Sequence, residues 1–472
     1  MTRPHIAILG GGPAGAGAAF QLRRLNRADV TLLEQQNTLG GNAGSFEWRD
    51  QRVDFGSHRL HPACDPVILA DIRAMLGDDL LDRPRHGRIR LRDRWIHFPL
   101  KPADLIRRVD PAFGAGVAVD ALRKVIQRPA EGDGSFADVL QASLGPTICR
   151  DFYFPYARKI WGADPSELSG TQARRRVSAN SFAKLLKKVA SQVPGLKPPG
   201  GGRFYYPRSG FGSITEAYAR EAQAKGATIM LETRVESLTR TPDARWLISV
   251  RRGAEPTSVT ADHVWSTLPV TLMPRLIRDG APPDAVSAAS TMAFRAMILV
   301  YLGLDTDRFT EFDAHYFPQA DVRITRLSEP KNYAATSEPH GRTVLCAELP
   351  CNVDDAVWGM DDDALAALVA EDLARAAIPL PVAPSARLVR RLRQAYPIYR
   401  TGYERPFETL TKWIDGTPNL VTFGRQGLFA HDNTHHALAM AYGAADCVEG
   451  MTFNQTRWRG YLEQFATHVV ED

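Results

Sequence analysis

The chain has 472 residues, a formal net charge of +5, 24% charged residues and five cysteines. That length exceeds what one core organises, so two or three domains are expected, and the composition is that of an ordinary globular protein. The mild, dispersed charge argues against nucleic acid as a partner, and Cys64, Cys149, Cys346, Cys351 and Cys447 show neither metal spacing nor a disulfide framework.

The first strand is His5-Ile-Ala-Ile-Leu-Gly10. It runs into Gly10-Gly-Gly12-Pro13-Ala14-Gly15, a G-x-G-x-x-G, and then into an Ala-rich helix, Ala16 to Leu25. A second strand, Val30-Thr-Leu-Leu-Glu34, ends in an acid. Strand, glycine turn, helix, strand and acid together form the dinucleotide fingerprint in its required context. The glycines let the backbone approach a pyrophosphate, and the helix start supplies N–H donors. Glu34, with Gln35 beside it, is placed to hold a ribose; an acid there repels the extra phosphate of NADP. The strand begins too close to the first residue for a secretory signal, so a cytoplasmic location is expected.

Leu39-Gly-Gly41-Asn42-Ala43 follows, where two glycines allow a second loop to approach the cofactor; a plain turn explains them equally well. Asp54-Phe-Gly56-Ser57-His58-Arg59-Leu60-His61 comes next. Gly56 permits close backbone approach, and His58 and His61 are candidates to flank a flavin ring and tune its protonation. A structural histidine bonded to a carbonyl is the bland alternative. Arg88, Arg90, Arg92 and Arg94 alternate, which predicts one basic strand face opposite Ile89, Leu91 and Trp95. That face is either merely solvated or an electropositive wall for an anionic substrate. The apolar stretch Ala112 to Leu122 is too short and interrupted to span a bilayer, so no integral membrane segment is expected.

Residues 135–190 read as helical, broken at Trp161-Gly162. The Pro- and Gly-dense segment Val193 to Arg203 forbids regular structure. A helix is expected from Gly210 to Lys225, a strand from Gly226 to Val235, and a parallel strand from Asp262 to Pro269. Residues 290–400 show β-type alternation (Ala296 to Leu304, Thr343 to Leu349), with a helix near 361–377. A last strand ends at Gly424-Arg425, and an Ala-rich helix runs from about Thr434 to Gly450. Asn433-Thr434-His435-His436 ahead of it makes a helix-start anion site near the cofactor.

These residues resemble a known family. Gly40-Gly41-Asn42-Ala43 and the H-x-x-H of His58 and His61 resemble the flavin motifs of UDP-galactopyranose mutase. Lys159-Ile-Trp161-Gly-Ala-Asp-Pro-Ser-Glu-Leu168 looks like that family's W-G-x-x-P-x-x-L, and Thr325-Arg326-Leu-Ser-Glu-Pro-Lys331 is similar to its T-R-x-x-E-x-K. The first and last motifs are shared with flavin amine oxidases and protoporphyrinogen oxidase-like proteins. The resemblance covers nearly the whole chain, in order. It implies an α/β fold: a Rossmann-type FAD-binding domain (1–62, 205–290 and 415–472) interleaved with a mostly helical insertion (63–204) and an antiparallel-sheet substrate domain (291–414). It implies non-covalent FAD, with Val235 at the adenine. It further implies Arg326 and Tyr396 on the substrate side, and Trp161 with Arg176 on a lid that continues into the Pro/Gly segment. Dimers are common among such proteins, so a homodimer is possible.

The chain departs from the mutase pattern. E-Y-P is Glu348-Leu349-Pro350, P-Y-Y-P is reduced to Ala395-Tyr396-Pro397, and the aromatic after the lid is Phe211. A rebuilt substrate site on a complete flavin signature favours an FAD-dependent oxidoreductase. It would move a hydride from a polar, anionic or glycan-related small molecule to flavin N5, with an unidentified electron acceptor or donor. A non-redox mutase acting on a nucleotide sugar is the alternative, and a protein keeping FAD as a structural element is a third. No residue stands out as a covalent flavin anchor, an obligatory general base or a metal ligand.

Overall fold

A computed structural model describes residues 3–101, 104, 107–126, 134–176, 202–277 and 280–470. Most of the expected lid, including Val193 to Gly201, lies outside the described residues.

Five parallel strands form one sheet, in the order Leu420–Thr422, His263–Ser266, His5–Leu9, Asp29–Leu33, Thr228–Met230. The opening strand is continuously apolar because both sheet faces are covered. Ile6 and Ile8 pack towards the helices Pro13–Arg24, Ser213–Ala224 and Thr434–Asp446. Ala7 and Leu9 pack towards a three-stranded antiparallel sheet through Leu238, Trp246 and Ile248. Gly17 lets the first and last of these helices touch, since a Cβ there would lie 2.8 Å from Leu438. The first helix starts at Pro13, three residues earlier than Ala16, because proline suits a first-turn position that needs no N–H.

The second sheet has seven strands, in the order Ala386–Pro397, Phe294–Leu304, Thr343–Cys351, Arg326–Ser328, Ala314–Tyr316, Gly87–Leu91, Arg94–Phe98. Along Phe294–Leu304 the alternation is clean. Ala296, Ile298, Val300 and Leu302 face a core covered by helix Asp362–Arg375. Met297, Leu299 and Tyr301 face the hairpin Ser45–Asp54. Thus α/β architecture, with a parallel nucleotide sheet and a largely antiparallel second sheet, is what the molecule adopts.

Three local expectations are corrected. Gly226–Val235 is not one strand: Glu232 has φ +53° and breaks it, so Thr228–Met230 joins the parallel sheet while Thr233–Arg240 opens the antiparallel one. The alternating arginines do not share one strand. Arg92 and Asp93, with φ of 49° and 61°, form the tight turn of a hairpin, and that hairpin leaves the 63–204 stretch to join the seven-stranded sheet. The last long helix ends at Asp446, and a short hairpin follows. The break at Trp161-Gly162 is as expected, with Gly162 left-handed at the helix end.

Candidate active site

The nucleotide end is built from the first strand–helix turn. Gly10 takes φ +101°, and a Cβ on Gly15 would lie 2.0 Å from the Gly10 carbonyl oxygen, so only glycine brings helix and strand this close. Gly12 caps helix Pro13–Arg24 without a side-chain acceptor, leaving its leading N–H groups for a ligand. Gly10, Gly12, Pro13 and Ala14 line a large cavity, as do Glu34 and Gln35. The buried Glu34 carboxylate accepts from the backbone N–H of Gly11 at 2.7 Å and of Gln36 at 2.9 Å. Burial raises its pKa, against the lowering effect of those N–H groups.

The second glycine loop closes on the same place. Gly40 and Gly41 take φ of 113° and 53°, and the Asn42 side chain donates to the Gln394 carbonyl at 3.2 Å. Gly424, at φ +81°, brings the last segment against the first: a Cβ there would meet Ala14 at 2.7 Å. Arg425, Asn433 and Thr434 complete this wall.

The cavity measures about 2530 Å³. Ordinary small-molecule sites are roughly 300–1,000 Å³, so this one has room for a dinucleotide and a substrate together. Several buried polar atoms on its walls have no partner among the described residues: Ser57 Oγ, Gln426 Oε1, Arg425 Nε, Trp161 Nε1 and both ring nitrogens of His431. Buried polar atoms rarely stay unpaired. The uncapped helix, the glycine cradle and these donors and acceptors fit FAD.

His58 faces the cavity, stacked on Phe211 with ring centroids 5.4 Å apart, and its Nε2 bonds the Phe55 carbonyl at 2.9 Å. Burial lowers its pKa, Asp54 opposing, which keeps the ring neutral near pH 7 and makes Nε2–H the donor. His61 also lines the cavity, and its Nδ1 accepts from the Ala63 N–H at 3.0 Å.

Arg326 reaches the wall but is not a free clamp. It makes a two-pronged pair with Glu348, at 2.9 and 2.8 Å, and Glu348 Oε1 also accepts from the Ser57 N–H at 2.8 Å. Gly56, at φ +95°, makes room for that carboxylate. Leu349, the neighbour of Glu348, points to the opposite face of its strand, into the core under helix Asp362–Arg375. Leucine at position 349, where the mutase pattern has tyrosine, therefore takes no group from the cavity wall.

Trp161, Arg176 and Tyr396 do come together. The Arg176 guanidinium lies 5.4 Å from the Tyr396 ring centre and 6.0 Å from Trp161, while Arg425 covers Tyr396 at 5.0 Å. His431, which sequence reading missed, sits in the same nest, edge-on to Trp161 at 6.3 Å. Burial and the surrounding Arg176, Arg425 and Arg175 hold it neutral. Arg59, also missed, is anchored in the wall by Tyr316 at 2.8 Å and by Asp313 and Tyr333 at 3.1 Å.

Other expected residues lie behind the walls. Gly15 packs helix on strand, and Gly56 seats Glu348. Val235 is a half-buried residue of strand Thr233–Arg240 that packs on the core, and it is not part of the cavity wall. His435 is buried outside the wall, with its pKa pushed down to about 4 by burial. Ligand atoms of Asp432, His436 and His468 converge within 4.8 Å. The pair His468 Nδ1–Asp432 (2.8 Å) and the bond from the Asn433 N–H to His436 Nδ1 (3.3 Å) already account for that grouping.

Part of the remaining lining is an apolar arm, and Arg85, Arg203, Arg390, Arg391 and Arg393 also line the cavity. Ile89, Leu91, Ile96 and Phe98 of the hairpin form one side; Phe113, Val117, Phe136, Leu144, Ile148, Phe152 and Ile160 form the other. The hairpin therefore turns its aliphatic face to the cavity, and the electropositive wall is not there. Arg88 lies over Trp95 and Phe312 at 4.2 and 4.6 Å, Arg90 pairs with Asp321 at 2.6 Å, and Arg92 pairs with Asp110 at 3.1 Å.

A parallel nucleotide sheet, a glycine cradle and a cavity with room for a dinucleotide and a substrate define a flavoprotein oxidoreductase that uses FAD. The chain belongs to the family described as flavin containing amine oxidoreductase, whose profile matches residues 14–445. It is 21% identical over 476 residues to the coproporphyrinogen III oxidase of Staphylococcus aureus, covering 95% of this chain and 97% of that one. It is 22% identical to the chloroplastic protoporphyrinogen oxidase of Oryza sativa subsp. japonica, covering 97% and 89%. Its fold is similar to that of reduced UDP-galactopyranose mutase, with a TM-score of 0.81 at 19% identity, covering 99% and 100%.

Proposed function

We propose that this FAD-dependent oxidoreductase dehydrogenates a large substrate with an apolar body and anionic groups, its body seated in the arm between the hairpin and the helices. The apolar walls of that arm carry the reading. They replace the polar, glycan-related small molecule expected from the sequence, because burying sugar hydroxyls against Ile89, Leu91, Phe113 and Ile148 leaves them unpaired. FAD, when bound, supplies hydride acceptance. The chain's share is to hold and to exclude. Gly10 to Gly15 and Glu34 would bind the dinucleotide, with Gly41 and Asn42 beside it and Arg425, Asn433 and Thr434 at the far wall. His58 and His61 would flank the ring system. Trp161, Tyr396, Arg176 and His431 would orient a polar or anionic group at the substrate's end, and the arm's side chains keep water from the reacting carbon.

The named relatives oxidise coproporphyrinogen III and protoporphyrinogen. The first of these is a bulky ring system with carboxylate arms, which suits an apolar arm beside a cationic nest. It is therefore the first substrate to try. Anaerobic mixing with oxidised holoprotein should bleach the flavin's visible absorption; an unbleached flavin removes this substrate. The non-redox alternative is tested with dithionite-reduced protein and UDP-galactofuranose. The captive Arg326–Glu348 pair stands against it, since a diphosphate site needs that guanidinium free.

A further inference from the structure

Behind the far wall of the cavity, histidines gather on one carboxylate. Asp432 and His436 flank the start of helix Thr434–Asp446, and His468 follows helix Gln455–Phe465. Hydrogen bonds alone bring these three together, so their donor atoms, all within 4.8 Å of one another, are in place before any ion arrives. The Val470 N–H donates to the Arg175 carbonyl at 2.8 Å and ties the segment down. The His436 and His468 rings stack, with centroids 4.2 Å apart.

Those bonds leave two groups under-satisfied. Asp432 is 2% exposed, yet its one ion-pair partner among the described residues is His468, a side chain charged only when protonated. Arg175 and Arg425 act on Asp432 from beyond ion-pair reach. A buried carboxylate is costly unless a cation compensates it. His435 packs against His436, with ring centroids 4.1 Å apart, and its buried Nδ1 has no hydrogen-bond partner among the described residues.

Two imidazoles and a carboxylate, with a third imidazole idle beside them, form the donor set of a divalent transition metal; magnesium and calcium prefer all-oxygen sites. Tetrahedral bonds of about 2.0–2.1 Å put neighbouring donors roughly 3.3 Å apart. The three side chains here need only close in by rotation.

We propose that Asp432, His436 and His468 bind one divalent transition-metal ion such as zinc. The ion displaces the proton that His468 shares with Asp432 and supplies the charge opposite the buried carboxylate. His436 gives up no more than the 3.3 Å bond from the Asn433 N–H. The ion pins the segment after the last helix to Asp432, Asn433 and Thr434, which line the cavity, so it stiffens that wall from behind. None of this rests on the substrate proposed above.

The test is calorimetric titration of untagged, flavin-loaded protein, freed of metal with EDTA, with zinc chloride. One zinc per chain is expected to bind with a Kd of about 10 μM or tighter. Proton release should make the binding enthalpy depend on the buffer, and zinc should raise the melting temperature. Magnesium chloride should give no binding heat. H468Q and H436Q should each weaken zinc binding by about tenfold or more, with flavin content unchanged. His468 is only partly buried, so H468Q decides the matter if H436Q fails to fold. H340Q, at an exposed histidine elsewhere, should bind zinc like wild type. Wild-type protein that takes up no zinc, or H468Q that binds it undiminished, overturns the proposal. So does zinc binding that H340Q abolishes, since the ion would then be adventitious at the surface.

Discussion

Arg326→Met separates the structural account of the wall from the mutase analogy. The Arg326 and Glu348 side chains are 17% and 5% exposed, and their two hydrogen bonds are 2.9 and 2.8 Å long. Glu348 also carries the Ser57 N–H, so removing the arginine leaves a buried carboxylate with a single backbone donor. Breaking a buried pair from one side costs about 3–5 kcal/mol, and the holoprotein's melting temperature should drop by several degrees. Glu348→Gln, which orphans the guanidinium, should cost a similar amount. In the double variant neither charge is stranded, so a double-mutant cycle should show coupling of about 2–3 kcal/mol. UDP affinity, measured by calorimetry, should be unchanged in Arg326→Met. If instead that variant melts like wild type and loses UDP affinity by more than about tenfold, Arg326 is a substrate clamp and the reasoning is wrong.

Gly15→Ala should abolish flavin retention, read as the visible-to-ultraviolet absorbance ratio of purified protein, because its Cβ would lie 2.0 Å from a carbonyl oxygen. Lys159 donates to the carbonyls of Phe317 and Ile324 at 2.5 and 3.3 Å, and burial pushes its pKa down to about 7. The unfolded chain therefore holds more protons between about pH 7 and the ordinary lysine pKa of roughly 10.4, so this group's penalty is full below pH 7 and lifts as pH rises. Relative to Lys159→Met, wild-type melting temperature should climb across that window; a flat difference would show the lysine stays charged. His431→Phe should melt at or above the wild-type temperature in the absence of substrate, since neither ring nitrogen has a partner among the described residues, and should raise KM more than it lowers kcat. An unchanged KM would take His431 out of the substrate nest.

The nucleotide end was legible because its constraints are local. Gly10, Gly15 and Glu34 sit on consecutive elements, and backbone geometry dictates their residue types. The substrate end was not, because it is made of residues far apart in the chain. Nothing near Arg326 announces Glu348 as its partner, and strand alternation turns Leu349 away although it adjoins the site. Alternation along Arg88 to Arg94 does not reveal the one turn that decides it: left-handed Arg92 and Asp93 fold the run into a hairpin, so Ile89 and Leu91 rather than the arginines meet the cavity. His431 lies between two motifs that were noticed, and its significance comes only from the Trp161, Arg176 and Arg425 side chains packed around it.

The decisive measurement is the anaerobic half-reaction of the oxidised holoprotein with coproporphyrinogen III. Rapid bleaching of the flavin's visible band is expected, slowed when Ile89→Glu places a charge in the apolar arm. A flavin that stays oxidised, in protein that after dithionite reduction converts UDP-galactofuranose to UDP-galactopyranose, would contradict the oxidoreductase reading at its centre.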